Sequence, residues 1–395
     1  MQPFQSPNSY TMCNGEIYNY HDLALSHSSF SPKSRSDCEI LPYLFEHYSF
    51  EEALRMIDGV FALSHIDLAT NKLYIARDRL GVKPLFYAEN DSFFAVASEA
   101  KALTDVFENI QQLQPGSFMT LSLSNYERTY DIYTSIKEII DPSYTYEQSA
   151  IIIHDLLVKA VQKRLSSDRE IGCLLSGGLD SSVIAAILSK ELKKSGKRLH
   201  TFSIGFPDST DIVYARQVAQ HIDSEHHEYI IQYEDALKEL ENVIKATETY
   251  DTTTVRASTP MYMFREPFLD KDLIDFVTSM NPSYKVPRNG YEKEILRRAF
   301  SAPHDSLWSY LPDKVLWRRK AAFSDAVSSS EKPWYKWIQE YTESLGMSES
   351  EYFKSLFYKN FNGYNLELPL WLPRWSNVGN EPSATVLDVY RKEEH

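Results

Sequence analysis

Leu174-Leu175-Ser176-Gly177-Gly178-Leu179-Asp180-Ser181-Ser182 closes an apolar strand with two glycines and opens a helix without a break. Lacking a Cβ, Gly177 and Gly178 allow backbone N–H groups to turn inward as an anion-binding nest, and the positive end of the new helix points at the same place. Ser176, Ser181 and Ser182 add hydroxyl donors, while Asp180 offers the hard oxygen that a magnesium ion bridging phosphates requires. A tight strand-to-helix turn capped by Ser or Asp is the plainer alternative. The flanks give the architecture. Ile171 to Leu175 reads as a strand, and Val183, Ile187 and Leu188 form the apolar stripe of the helix after it. A second strand runs from His200 to Phe206, followed by a helix turning Ile212, Ala215, Ala219 and Ile222 inward and another carrying Leu237, Leu240 and Ile244. A helical stripe at Ile153, Leu156, Leu157, Ala160 and Val161 comes before. Strands alternating with helices imply parallel pairing with right-handed crossovers, so a doubly wound, mainly parallel α/β sheet is expected.

Upstream the texture changes. Short aromatic-rich runs, Leu73 to Ala76, Leu85 to Tyr87 and Phe93 to Ala97, are separated by turn signals such as Glu89-Asn90-Asp91, which predicts mostly antiparallel sheet. The expected division is a first domain over 1–135, a linker over 136–147 and a second domain over 148–395. A chain of 395 residues with 43% apolar and 24% charged residues suffices for two packed domains. Lys and Arg number 41 against 55 acids, so the summed field repels nucleic acid. Trp317-Arg318-Arg319-Lys320 is a compact basic cluster, either a phosphate patch or a solvated helix end. Cys13, Cys38 and Cys173 lack metal-site or disulfide spacing and read as small buried residues. No apolar run approaches the roughly 20 residues of a membrane span, and the start MQPFQSPNSY lacks the regions of a secretion signal, so no membrane partner and a cytosolic location are expected.

SGGxDSS resembles the pyrophosphate loop of the ATP pyrophosphatases, α/β enzymes that cleave ATP between its α- and β-phosphates and activate a carboxylate as an adenylate. By that resemblance Leu174, and Ile204 of TFSIGF, line the adenine. Thr247 to Tyr262 (TETYDTTTVRASTPMY) looks like the aspartate-side segment of asparagine synthetases, which implies that Thr254 and Arg256 hold the substrate. Tyr291-Glu292-Lys293-Glu294-Ile295-Leu296-Arg297 is similar to a motif whose lysine approaches the ATP phosphates, a role that passes to Lys293. CNGEIYNY, RSDCEI, DGVFALSHID, ARDRLGVKPLFY and ASEAKAL are similar to the αββα glutaminase half of amidotransferases with an N-terminal cysteine nucleophile. There the resemblance implies Asn14 and Gly15 as oxyanion donors, glutamine bound by Asn14, Gly15 and Glu16, and Asp37 on the glutamine α-amino group. Asn-Gly is also a common turn, and Asp37 a reasonable helix cap. The tail LPLWLPRWSNVGNEPSATVLDVY is of the kind these synthetases carry.

Two departures from the family pattern stand out. Met1 is followed by Gln2, the opening strands and the N-terminal nucleophile have no counterpart, and Cys13 lies beside the oxyanion residue in a strand; the expectation is that the glutaminase step is lost. After Met261-Tyr262-Met263 the chain passes directly to Arg265-Glu266-Pro267-Phe268-Leu269-Asp270, and the SGEGSDE loop that the family places between them is missing, so a deletion near 263–265 is expected. The resemblance implies a ligase that uses ATP and Mg²⁺ to adenylate aspartate and amidates it with ammonia from glutamine; a homodimer is compatible with it. A non-catalytic relative that binds ATP or glutamine, or that pairs with a complete subunit, is the alternative. A different adenylating enzyme, such as a β-lactam-forming synthetase or a tRNA thiolase, fits the aspartate-side segment less well.

Overall fold

Ser9–Ile17 (β2), whose burial alternates, and Gly59–Asp67 (β3), buried on both faces from Val60 to Leu63, pair antiparallel along their whole lengths, Cys13 facing Leu63 and Gly15 facing Phe61. The computed structural model describes all residues except 1, 137–139, 142, 168, 259–269, 302–308, 319–327, 329–331 and 362–395. Its contacts divide the chain into two units whose main parts are Met1–Lys137 and Glu138–Asn360.

In the first unit Phe4–Ser6 (β1) pairs with β2, and Lys72–Arg77 (β4), Ser117–Ser122 (β8) and Arg128–Ile132 (β9) extend the sheet in the order β1-β2-β3-β4-β8-β9, every pair antiparallel. Alternation then gives each strand two jobs. One face, with Cys13, Ile17, Phe61, Leu63 and Ala76, packs on helices Tyr20–Ser26 (α1), Ile40–His47 (α2) and Phe50–Met56 (α3). The opposite face, with Ala62, Ile75 and Met119, packs on Leu85, Tyr87 and Leu113 from around a second antiparallel sheet of Phe86–Glu89 (β5), Phe94–Ala97 (β6) and Ile110–Gln112 (β7). These are three layers of the αββα arrangement; a second helical layer is not among the described residues of this unit. Ser49 begins α3 with a complete capping box to Glu52. The ARDRLGVKPLFY segment earns its place through Asp78, only 1% exposed, whose carboxylate accepts from the amides of Phe61, Leu80, Val82 and Lys83 and so closes the turn after β4.

The second unit begins with Tyr146–Lys163 (α4), capped by Thr145 and Gln148, and continues through Gly172–Leu174 (β10), Leu179–Lys194 (α5), His200–Gly205 (β11), Thr210–Ile222 (α6) and Glu225–Ile230 (β12). The described sheet is parallel in the order β10-β11-β12, with Leu174 beside Phe202 and Ile204 beside Tyr229. Cys173, Leu175, Val183, Ile187, Ala215 and Ile222 join Ile153 and Leu157 of α4 in one core. Tyr233–Thr247 (α7), Thr252–Ser258 (α8), Lys271–Ser279 (α9), Glu294–Ser301 (α10), Asp313–Leu316 (α11), Trp334–Ser344 (α12) and Glu349–Asn360 (α13) complete the described part. Buried Asp270 caps α9 and accepts from Arg164, the residue that ends α4, at 3.1 Å. The expected joint at 263–265 and the C-terminal tail lie outside the described residues, as does part of the expected linker. No described helix is long and apolar enough to cross a membrane.

His65 on β3 is 4% exposed, 2.8 Å from Thr11 Oγ1 through Nδ1 and 4.8 Å from the Phe45 ring. Burial pushes its pKa down to about 4 from 6.5. The unfolded chain therefore binds the proton more readily, and stability must rise with pH between those values and be lost as pH falls from 6.5 towards 4. The swing is about 3 kcal/mol, from 1.36 kcal/mol per pKa unit. Urea unfolding across pH 4–7 should show this slope, and His65→Gln should flatten it by that amount.

Candidate active sites

The loop between β10 and α5 is shaped by its neighbours as much as by its own residues. Gly177 sits at φ +73°, and a Cβ there would fall 2.5 Å from the Ala215 amide nitrogen and 2.7 Å from the Asp211 carbonyl oxygen of α6. Only glycine fits. Gly178 is different: it is the extended N-cap of α5, and a Cβ would meet nothing nearer than Ser176 Oγ at 3.3 Å. Inside the loop the Ser176 amide donates to Ser181 Oγ at 3.2 Å, the two hydroxyls lie 2.9 Å apart, and the Gly178 amide donates to Ser176 Oγ at 3.3 Å. These small groups bond to one another at the N-terminal, positive end of a sixteen-residue helix. Ser182 departs from its expected role: it is fully buried, and its hydroxyl finds no partner among the described residues, so it packs beneath the loop rather than donating into its mouth.

Two cations reach this loop from later in the chain. Lys293 donates from Nζ to Asp180 Oδ2 at 2.6 Å, both side chains part-exposed. Lys293 lies in the turn just before α10, not on a helix face, and at φ +54°, a conformation that a side chain of this size adopts only when its surroundings hold it there. The neighbouring Arg297 is buried and bonds the Glu292 backbone carbonyl and side chain, which ties that turn to α10. Arg318 approaches the loop's other side: its Nη1 donates to Asp211 Oδ1 at 2.9 Å and to the Gly177 carbonyl at 3.3 Å, and its guanidinium lies 4.0 Å from the Tyr214 ring centroid. Burial lifts the Asp211 pKa to about 6, with Arg318 pulling the other way. Of the basic cluster, Arg318 thus braces the loop from below, while Arg319 and Lys320 lie outside the described residues. Leu174 and Ile204 are half-buried and fall on one face of the parallel sheet together with Phe202.

Thr254 and Arg256 do not sit as a substrate clamp. Asp251 caps α8, its Oδ2 accepting from the Thr254 hydroxyl and amide at 2.6 and 2.7 Å. Arg256 is 2% exposed and forks onto Glu349 at the start of α13, through Nε at 2.7 Å and through Nη2, with the Tyr335 ring over its guanidinium. Its charge is satisfied by a buried carboxylate, which is the physical reason it cannot also receive one from solvent in this arrangement.

In the first unit Asn14 is exposed on β2 and donates from Nδ2 to Ser98 Oγ at 3.0 Å, which joins the CNGEIYNY and ASEAKAL motifs. Gly15 is demanded by sheet packing, since a Cβ would fall 2.2 Å from the Val60 carbonyl oxygen of β3. Glu16 is half-buried on the same strand. Asp37 is not a helix cap; it accepts from the Ile17 amide at 2.6 Å and thereby stands at the end of the strand that carries Asn14 and Gly15. Cys13 is buried in the core, its backbone bracketed by both ends of the Gln2 amide at 2.7 and 2.8 Å. Hydrogen bonding to Cys13, then burial, pushes the neighbouring Cys38 thiol far above its ordinary range, so it stays neutral.

The family model "Asparagine synthase" matches residues 153–266 and 263–371, and "Glutamine amidotransferase domain" matches 1–105. A probable asparagine synthetase (glutamine-hydrolysing) of Acanthamoeba polyphaga mimivirus is 33% identical over 499 residues, spanning 98% of this chain and 88% of the relative. The asparagine synthetases (glutamine-hydrolysing) of Bos taurus and Homo sapiens are each 32% identical over 506 residues, 99% of this chain and 89% of theirs. This chain belongs to the asparagine synthetase family. It is by that membership a carbon–nitrogen ligase, and the non-catalytic alternative is not favoured. The expectation of a lost glutaminase step is not supported either, because the glutamine amidotransferase domain is present. An alignment of 506 positions against 395 residues leaves at least 111 positions of the relative without a counterpart (506 less 395), and the two synthase matches meet at 263–266. A glutamine phosphoribosylpyrophosphate amidotransferase of B. subtilis matches at a TM-score of 0.33 and 15% identity over 60% of this chain and 75% of its own, too remote to bear on the argument.

If the Arg256–Glu349 pair is structural, breaking it from one side must be costly. Arg256→Met or Glu349→Gln alone should lower unfolding stability by about 3–5 kcal/mol, and replacing both with apolar residues should recover most of the loss. Chemical unfolding of the three variants checks this; unchanged stability with a raised KM for aspartate would restore Arg256 to the substrate.

Proposed function

We propose that the second unit activates aspartate on the Ser176–Ser182 loop, with Lys293 and Asp180 as the charged pair at its mouth. The observation that carries this reading is the 2.6 Å contact between them at the start of α5, made by a lysine held at positive φ. Gly177, Gly178 and the Ser176 and Ser181 hydroxyls receive the pyrophosphate portion of ATP, and Leu174 and Ile204 meet the adenine. As the aspartate β-carboxylate attacks the α-phosphorus, negative charge grows on the leaving pyrophosphate, and Lys293, released from Asp180, offsets it. Ammonia then displaces AMP from the acyl phosphorus anhydride and gives asparagine.

Magnesium fits this donor set. Asp180 presents a part-exposed carboxylate at a helix start, and one protein carboxylate plus substrate phosphates is how this ion is commonly held. Bound there, it would neutralise phosphate charge. In the first unit Asn14 and Gly15 serve the oxyanion of glutamine hydrolysis, with Glu16 and Asp37 on the glutamine itself. We infer further that the two matched synthase stretches flank a segment excised near 263–265, in a cytosolic enzyme acting on aspartate, ATP and glutamine.

Aspartate-dependent exchange of labelled pyrophosphate into ATP isolates the activation step. The full chain should catalyse it, and Lys293→Met should reduce the rate by about 10²–10³-fold with no change in melting temperature. A folded chain without any such exchange overturns the proposal.

A further inference from the structure

The parallel register of β11 and β12 sets His200 opposite Glu225 and Phe202 opposite His227. Side chains alternate along a strand, so His200, Glu225 and His227 project from one face of the sheet. Three donor atoms converge there. His200 Nδ1 lies 3.2 Å from His227 Nε2 and 3.8 Å from Glu225 Oε1, and the last two atoms lie 3.6 Å apart. The circumradius of a triangle with those edges is about 2.1 Å, so an ion about 2.2 Å from each donor, at the long end of the range for zinc, stands out of their plane as tetrahedral coordination requires. The same edges are close to those of one face of a ligand tetrahedron around such an ion.

We propose that His200, Glu225 and His227 form a binding site for a divalent transition cation of the zinc class, separate from the nucleotide loop. The donor set selects the ion: two imidazoles and one carboxylate suit zinc, cobalt, nickel or copper, whereas magnesium demands a shell of oxygens. The rings are already oriented. His227 stacks on Phe202 at 4.9 Å and 18°, and on His200 at 5.5 Å and 13°. The side chains are 39, 50 and 45% exposed for His200, Glu225 and His227, which leaves an approach for the ion and a fourth position for water. The bound cation ties β11 to β12 across their ladder. Without it, two ring nitrogens and a carboxylate share a small volume and gain little from one another in water.

Cobalt(II) is the direct probe, because tetrahedral coordination by nitrogen and oxygen gives it a visible absorption that the aquo ion lacks. Titration of the full chain at neutral pH should show a single equivalent bound with that spectrum, displaced by zinc, and zinc should raise the melting temperature. Each of His200→Ala, Glu225→Gln and His227→Ala should weaken binding by about tenfold or more, while His47→Gln, an exposed histidine of the first unit, should not. Glu225 and His227 are exposed and His200 is half-exposed, so circular dichroism should report an unchanged fold. Absence of the tetrahedral spectrum, or wild-type affinity in any one of the three variants, overturns the site.

Discussion

The arrangement of the synthetase unit depends on one close approach, the passage of the α6 backbone over Gly177. With the Ala215 nitrogen and Asp211 oxygen at 2.5 and 2.7 Å from where a Cβ would stand, the loop and the helix cannot separate or shift without opening a gap. Asp211 and Tyr214, on the same turn of α6, then engage Arg318, which returns a bond to the Gly177 carbonyl. The loop is thus held by a helix and an arginine, and Asp180 of the helix it opens meets Lys293.

The described segments on either side of the stretch 259–269 are each anchored by a buried ion pair. Before it, α8 is held to α13 by Arg256 and Glu349; after it, α9 is held to α4 by Asp270, Arg164 and Lys163. β10 has a strand on one side only among the described residues, since its partner in the described sheet is β11.

Much of this was legible in the sequence where periodicity and local chemistry agree. The glycine loop, the alternating strands and helices around it, and the antiparallel first domain follow from apolar spacing and turn residues. β12 does not, because Glu225-His226-His227-Glu228-Tyr229-Ile230 carries no apolar alternation and its side chains are mostly exposed. The pairing of Arg256 is hidden for a related reason: a fork of donors suits a substrate carboxylate and a protein carboxylate equally, and Glu349 lies ninety-three residues away in the chain. The distinction between Gly177 and Gly178, the burial of Ser182 and the bracing role of Arg318 all depend on where α6 passes, which no local pattern encodes. Asp78 could have been found, since an aspartate closing a strand before a glycine turn is a frequent acceptor of backbone amides.

The most direct test compares Gly177→Ala with Gly178→Ala by the affinity of the full chain for inorganic pyrophosphate. Gly178 has an ordinary extended backbone, and a Cβ there would press only on the Ser176 hydroxyl at 3.3 Å, which a small shift of that side chain relieves, so its variant should stay close to the parent in affinity. Gly177→Ala should lose affinity by about tenfold or more and melt earlier, because the left-handed backbone and the α6 contact both resist a Cβ. Equal pyrophosphate affinity in the two variants would contradict the account.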